Sequence, residues 1–141
     1  MGALLRQALL LAGLAFLPAI GQALYLRETV SWQAPALGKD EVELAQAQSW
    51  GESVLWVDAR PDAQFEAAHI PNAMQLNEDR WDELLQPLLA IWSPERKVIV
   101  YCSSLSCAAS HEVARRLREQ AGLTNVFVLH NGWEAWQAAK Q

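Results

Sequence analysis

The chain changes its apolar period in blocks. Val54-Leu55-Trp56-Val57, Val98-Ile99-Val100-Tyr101 and Val126-Phe127-Val128-Leu129 are short continuous apolar runs. Runs of that length are expected of strands buried on both faces. Between them the pattern turns helical. Asp40 to Trp50 places Val42, Leu44, Ala45 and Ala47 near helical spacing, with Gly51 as the stop. Pro61 is placed to open a helix over Asp62 to Ala68. Asp79 to Trp92 is amphipathic, with Trp81, Leu84, Leu85, Leu88 and Leu89 on one side and Pro87 as a kink. Ala108 to Ala121 predicts a helix with Val113, Ala114 and Leu117 inward and Arg115, Arg116 and Arg118 on a solvated face, ended by Gly122. Met74 to Leu76 predicts one more short strand. His130-Asn131-Gly132 predicts a turn into a last short helix, where Trp133 and Trp136 are expected in the core.

Strands alternating with helices predict an α/β domain with a mainly parallel sheet. Ligands of such sheets sit beyond the carboxyl ends of the strands. Cys102, Asp58 and His130 each follow a strand, so the three are expected along one edge.

The first 26 residues stand apart. They are apolar on every side and carry one charge, Arg6. Two readings stand. A membrane anchor over residues 7–26 needs roughly 20 apolar residues, which this stretch supplies between Arg6 and Arg27. A secretory signal peptide would be cut after Ala23. The anchor is preferred, because Leu24, Tyr25 and Leu26 extend the apolar run. Either reading places the domain outside the cytoplasm. The expected organisation is an anchor or signal over residues 1–27, a linker over 28–37 with a short edge strand around Thr29–Trp32, and one domain over 38–141. About 115 residues beyond the leader suffice for a single packed core.

The chain carries 11 Lys and Arg against 16 Asp and Glu, a formal net charge of −5. No basic stripe is available to neutralise phosphates, which argues against nucleic-acid binding. Two cysteines and three scattered histidines lack metal-ligand spacing, so no metal or other cofactor is expected.

Both cysteines lie in one turn, Cys102-Ser103-Ser104-Leu105-Ser106-Cys107, which leads into the helix at Ala108. A thiol at a strand end facing a helix N-terminus and curled-loop N–H groups gains thiolate character, and the thiolate is the nucleophile. Cys102 is therefore the candidate nucleophile. Ser103, Ser104 and Ser106 add hydroxyl donors without bulk. Cys107 is the candidate resolving thiol, or else a helix-start cysteine with no part in the chemistry. Asp58, Arg60 and His69 read as supports: a carboxylate bracing the strand edge through loop N–H groups, and a histidine bracing a turn. His111 and His130 are placed to border the pocket.

The ordered motifs resemble the rhodanese-like domain family over about residues 38–139. Val57-Asp58-Ala59-Arg60 is similar to the family's strand-end Asp-x-Arg. Phe65-x-x-Ala68-His69-Ile70-Pro71-Asn72-Ala73 resembles its Gly-His-Ile-Pro-Gly-Ala turn. Val100-Tyr101-Cys102 resembles the nucleophile strand, and Asn131-Gly132-Trp133-x-x-Trp136 the Gly-Gly-Trp-x-x-Trp ending. The resemblance implies a three-layer domain, a five-stranded mainly parallel sheet flanked by helices, here preceded by one hydrophobic helix. It also implies sulfane sulfur carried as a persulfide on Cys102, with the binding loop running from Ser103 through Leu105 and Cys107 to Ala108.

The loop departs from the family's Cys-x-x-Gly-x-Arg, with Leu105 for the glycine and Cys107 for the arginine. Ala68 and Asn72 likewise replace glycines. The loop resembles a subset of the family with a second cysteine, some of it membrane-attached. Thiosulfate is therefore an uncertain donor. The expected partners are a small sulfur donor or thiol acceptor, with a membrane redox protein as a further candidate. Two other functions stand beside sulfur transfer: a tethered thiol–disulfide redox protein using Cys102 and Cys107, and a non-catalytic binding module.

Overall fold

The computed structural model describes residues 2–26, 36–104 and 108–140. The chain divides into two units, with the boundary between Ala36 and Leu37.

The N-terminal unit contains α1 (Gly2–Leu26), the helix predicted there. The expected membrane span is not found: among the described residues no helix is long and apolar enough to cross a membrane. Arg6, Gln7 and Gln22 interrupt the apolar sequence of α1, and Pro18 lies inside it. The edge strand expected around Thr29–Trp32 lies outside the described residues.

The second unit is an α/β domain. In chain order it contains β1 (Glu41–Val42), α2 (Leu44–Ser49), β2 (Val54–Asp58), α3 (Asp62–Ala67), β3 (Met74–Gln75), α4 (Trp81–Ile91), β4 (Lys97–Tyr101), α5 (Ala108–Glu119), β5 (Val126–Leu129) and α6 (Gly132–Ala138). The five strands form one sheet in the order β1-β5-β4-β2-β3. Every pairing is parallel, so the sheet is fully rather than mainly parallel. β4 sits at the centre, in register with β2 from Val54↔Lys97 to Asp58↔Tyr101.

The continuous apolar runs have the cause the sequence suggests. Side chains alternate between faces of a strand, and both faces are covered. One face buries Leu55, Val57, Val98, Val100, Val126 and Val128 against Trp81, Leu88, Val113 and Leu117. The other buries Val54, Ile99, Tyr101 and Leu129, with Trp56, Trp133 and Trp136 packed against them. Trp133 and Trp136 thus join the core as partly buried residues.

The structure corrects four local expectations. The helix expected from Asp40 starts only at Leu44. Glu41 and Val42 are a strand instead, because pairing with Val128 and Leu129 satisfies their backbone. Pro61 is the N-cap of α3, one position before the helix it was expected to begin. α4 begins at Trp81 rather than at Asp79, and contains Pro87. The arginines of α5 are not merely solvated: Arg116 lies 3.9 Å over the Trp81 ring, and Arg118 reaches the Val126 carbonyl and Asp40.

Candidate functional site

β2, β4 and β5 deliver Asp58, Cys102 and His130 to the carboxyl edge of the sheet, as the strand ends require. Cys102 follows β4 directly and is 4% exposed. It is disulfide-bonded. Leu105, Ser106 and Cys107 lie outside the described residues.

The start of the loop is clamped from α6. The Trp133 N–H donates to the Cys102 carbonyl at 2.7 Å, and the Glu134 N–H to the Ser103 carbonyl at 3.2 Å. Ser103 Oγ donates to Gln64 Oε1 at 2.9 Å, tying the loop to α3. This close approach depends on the turn before α6. Asn131 and Gly132 both adopt left-handed backbone, with φ of 56° and 47°. A Cβ on Gly132 would lie 2.2 Å from the Cys102 carbonyl oxygen. Gly132→Ala is therefore expected to cost at least about 2 kcal/mol: roughly 1–2 from the left-handed conformation alone, plus displacement of the Cys102 carbonyl. A lowered melting temperature together with slower alkylation of reduced Cys102 near neutral pH would show it. Unchanged values of both would refute the clamp.

Asp58 accepts a loop N–H, that of Arg60 at 3.0 Å, and does more besides. Its carboxylate is fully buried and is gripped by Arg60, whose Nε donates to Oδ1 at 2.9 Å and whose Nη2 donates to Oδ2 at 2.6 Å. Arg60 also donates to the Ala68 carbonyl at 2.7 Å, and its guanidinium lies 4.5 Å from the centre of the Trp133 ring. It therefore links β2, the turn after α3 and the start of α6. The Tyr101 hydroxyl accepts the Ile70 N–H at 3.1 Å. Burial pushes that phenol well above its ordinary range and Asp58 adds to the rise, so the hydroxyl stays neutral.

His69 stacks on Phe65 at 4.1 Å, and its Nδ1 lies 2.9 Å from the Phe65 carbonyl. This contact fastens the turn after α3. The two glycines missing from that turn are accommodated differently. Asn72 takes left-handed backbone at φ 63°, which asparagine tolerates better than most residues. Ala68 is extended at φ −170° and needs no glycine.

A cleft of about 250 Å³ opens on the same edge between Ala59, Pro61, Asn77, Glu78, Asp79 and Ala109. Its charged lining residues are both carboxylates. Among the described residues no three His, Cys, Asp or Glu side chains gather as a metal site.

Two of the residues that matter here, Gln64 and Glu41, lie outside the sequence motifs. Gly132 and Gln64 hold the loop. Glu41, which the sequence pattern places in a helix, receives both His111 and His130. Its carboxylate is held below its ordinary range by the Gly38 N–H and by the two imidazoles, against the opposing effect of burial. The Asn-Gly pair at 131–132 was the one local signal of an unusual turn. Gln64 and Glu41 carried none.

The model of the rhodanese-like domain family matches residues 41–139. No curated protein matches the sequence. Several solved structures share the fold. A Bacillus halodurans protein superposes with a TM-score of 0.60 at 20% identity, covering 87% of this chain and 82% of its own. The rhodanese-like domain of an Anabaena protein gives 0.55 at 23% identity, covering 72% and 76%. A thiosulfate sulfurtransferase from Pseudomonas aeruginosa gives 0.60 at 23% identity, covering 78% of this chain but 21% of that protein.

Proposed function

We propose that this chain, which belongs to the rhodanese-like domain family, is a sulfurtransferase or sulfane-sulfur carrier that takes its sulfur as a persulfide on Cys102. The observation that carries this reading is the setting of Cys102. It stands at the carboxyl end of the central strand, and its carbonyl is fixed by the Trp133 N–H. Drawing the Cys102 and Ser103 carbonyls to α6 occupies two oxygen dipoles that would otherwise oppose a thiolate. The positive end of α5, a 12-residue helix, begins where the loop ends.

The reaction runs in two displacements. The Cys102 thiolate attacks the sulfane sulfur of the donor. A new S–S bond forms to Cys102, and the donor's own bond to that sulfur breaks, its electron pair leaving with the donor. A thiol or cyanide then attacks the terminal sulfur, and Cys102 departs as the thiolate. The dianion thiosulfate is a poor fit for this edge. Glu78 and Asp79 line the cleft, and the loop holds no arginine to grip an oxyanion bidentately. Neutral or singly charged persulfides and polysulfides are the better donors.

A second reading is favoured by one observation, the disulfide at Cys102. With Cys107 as its partner, the Cys107 thiolate would attack Cys102 Sγ of the persulfide, expel hydrosulfide and close the disulfide. A dithiol reductant would then reset the pair. Cys107 is in this reading the resolving thiol.

Intact-mass analysis separates these outcomes. The protein is reduced, freed of reductant and exposed to polysulfide, to thiosulfate or to a mild oxidant. A gain of one sulfur with polysulfide, removed by cyanide and much smaller with thiosulfate, is the expected result. Loss of two hydrogens with release of hydrosulfide would identify the resolving reaction. If no donor adds sulfur while the Cys102 thiol still alkylates, the sulfur-carrier reading fails.

A further inference from the structure

We propose that Glu41 is a positioning residue of the Cys102 site, tying the turn that clamps Cys102 to α5 through His130 and His111. The inference rests on Cys102 being the reactive thiol, not on which sulfur chemistry it performs.

Glu41 stands on the edge strand β1, opposite Val128 of β5. Its side chain is 12% exposed. Oε2 accepts the Gly38 N–H at 3.0 Å and faces His130 Nδ1 at 3.2 Å. Oε1 faces His111 Nε2 at 3.2 Å. One carboxylate therefore holds two imidazoles, one on each oxygen.

The two histidines are not equivalent in the chain, and their places give the contact its meaning. His130 heads the turn that brings Gly132 and Trp133 against the Cys102 carbonyl, where the loop begins. His111 is the fourth residue of α5, which starts at Ala108, where the loop ends. Glu41 thus joins the clamp on the entry of the loop to the helix that receives its exit. Without that tie, α5 and the turn before α6 could shift against each other, displacing the Trp133 N–H that fixes the Cys102 carbonyl.

The neighbouring charges are engaged elsewhere. Arg115 pairs with Glu112 and Glu119 along the exposed face of α5. Arg118 pairs with Asp40 at 3.4 Å, a second contact between α5 and the start of β1. That second pair serves as an internal control, because it links the same elements without touching either histidine.

The test is the pH profile of Cys102 alkylation in the reduced full-length protein, followed at Cys102 by peptide mapping. His111 is half exposed, so His111→Gln should fold even where Glu41→Gln does not. In both variants the pH profile of Cys102 alkylation is expected to move to higher pH, slowing alkylation at pH 7 by roughly three- to tenfold. Asp40→Asn is expected to keep the wild-type profile. Wild-type profiles in the Glu41 and His111 variants would overturn the proposal. So would an equal shift in Asp40→Asn, which would mark a general loosening of β1 against α5. Because alkylation needs no sulfur donor, the result stands apart from the success or failure of sulfur loading.

Discussion

Cys102→Ser is expected to take up no sulfane sulfur and to transfer it slower by on the order of 10³-fold or more, the scale of losing a catalytic nucleophile. A serine hydroxyl at this position has the thiol's shape but is not ionised near neutral pH, and it forms no bond to sulfane sulfur that a later nucleophile could reverse. The comparison should be made with the reduced wild type, since the variant also loses the disulfide. In that comparison the melting temperature should change little, because the side chain is buried and nearly isosteric. Intact mass and cyanide-released thiocyanate read the loading, and circular dichroism reads the fold. Retention of transfer in the serine variant would move the chemistry away from Cys102 altogether.

The largest stability loss is expected for Arg60→Ala. Asp58 has no solvent exposure, and Arg60 neutralises it through a forked contact at 2.6–3.1 Å. Removing the guanidinium leaves a buried carboxylate uncompensated, which costs about 3–5 kcal/mol. For a domain near 100 residues that lowers the melting temperature by roughly 12–20 °C. The same substitution unties the Ala68 carbonyl and strips the cation from the face of Trp133. Arg60→Lys should rescue little, because an ammonium cannot present two parallel N–H donors to one carboxylate. By contrast, Arg115→Ala breaks only exposed ion pairs on α5 and should cost no more than about 1 kcal/mol. A melting temperature for Arg60→Ala within about 3 °C of wild type would mean that water or a proton reaches Asp58 after all.

The sheet was legible because its inner strands are buried on both sides. β2, β4 and β5 announce themselves as unbroken apolar runs, and no other element of this length needs such a run. α5 was legible for the complementary reason, a clean apolar stripe at Val113, Ala114 and Leu117. β1 was not. Its two residues owe their conformation to partners on β5, so the local pattern around Val42 and Leu44 read as helix. The placing of Cys102 at a strand end followed from the sequence. What surrounds it did not. The reach from Glu41 to His130 spans 89 residues, and no spacing rule connects positions so far apart. Asp58 and Arg60 were visible as a motif, yet the sequence suggested that the carboxylate serves loop amides. It does accept the Arg60 N–H, and the shortness of the Asp-Ala-Arg interval lets the arginine side chain fold back on it as well, which no pattern of apolar positions records.

The clamp on Cys102 has a bearing on biosynthesis. The backbone donors that hold the carbonyls of Cys102 and Ser103 come from Trp133 and Glu134, at the start of the last helix. Cys102 precedes them in the chain and is made first. During that interval the thiol exists on a nascent chain without its restraint, open to stray oxidation or to mispairing with other thiols. The site becomes a controlled one only when α6 docks against it.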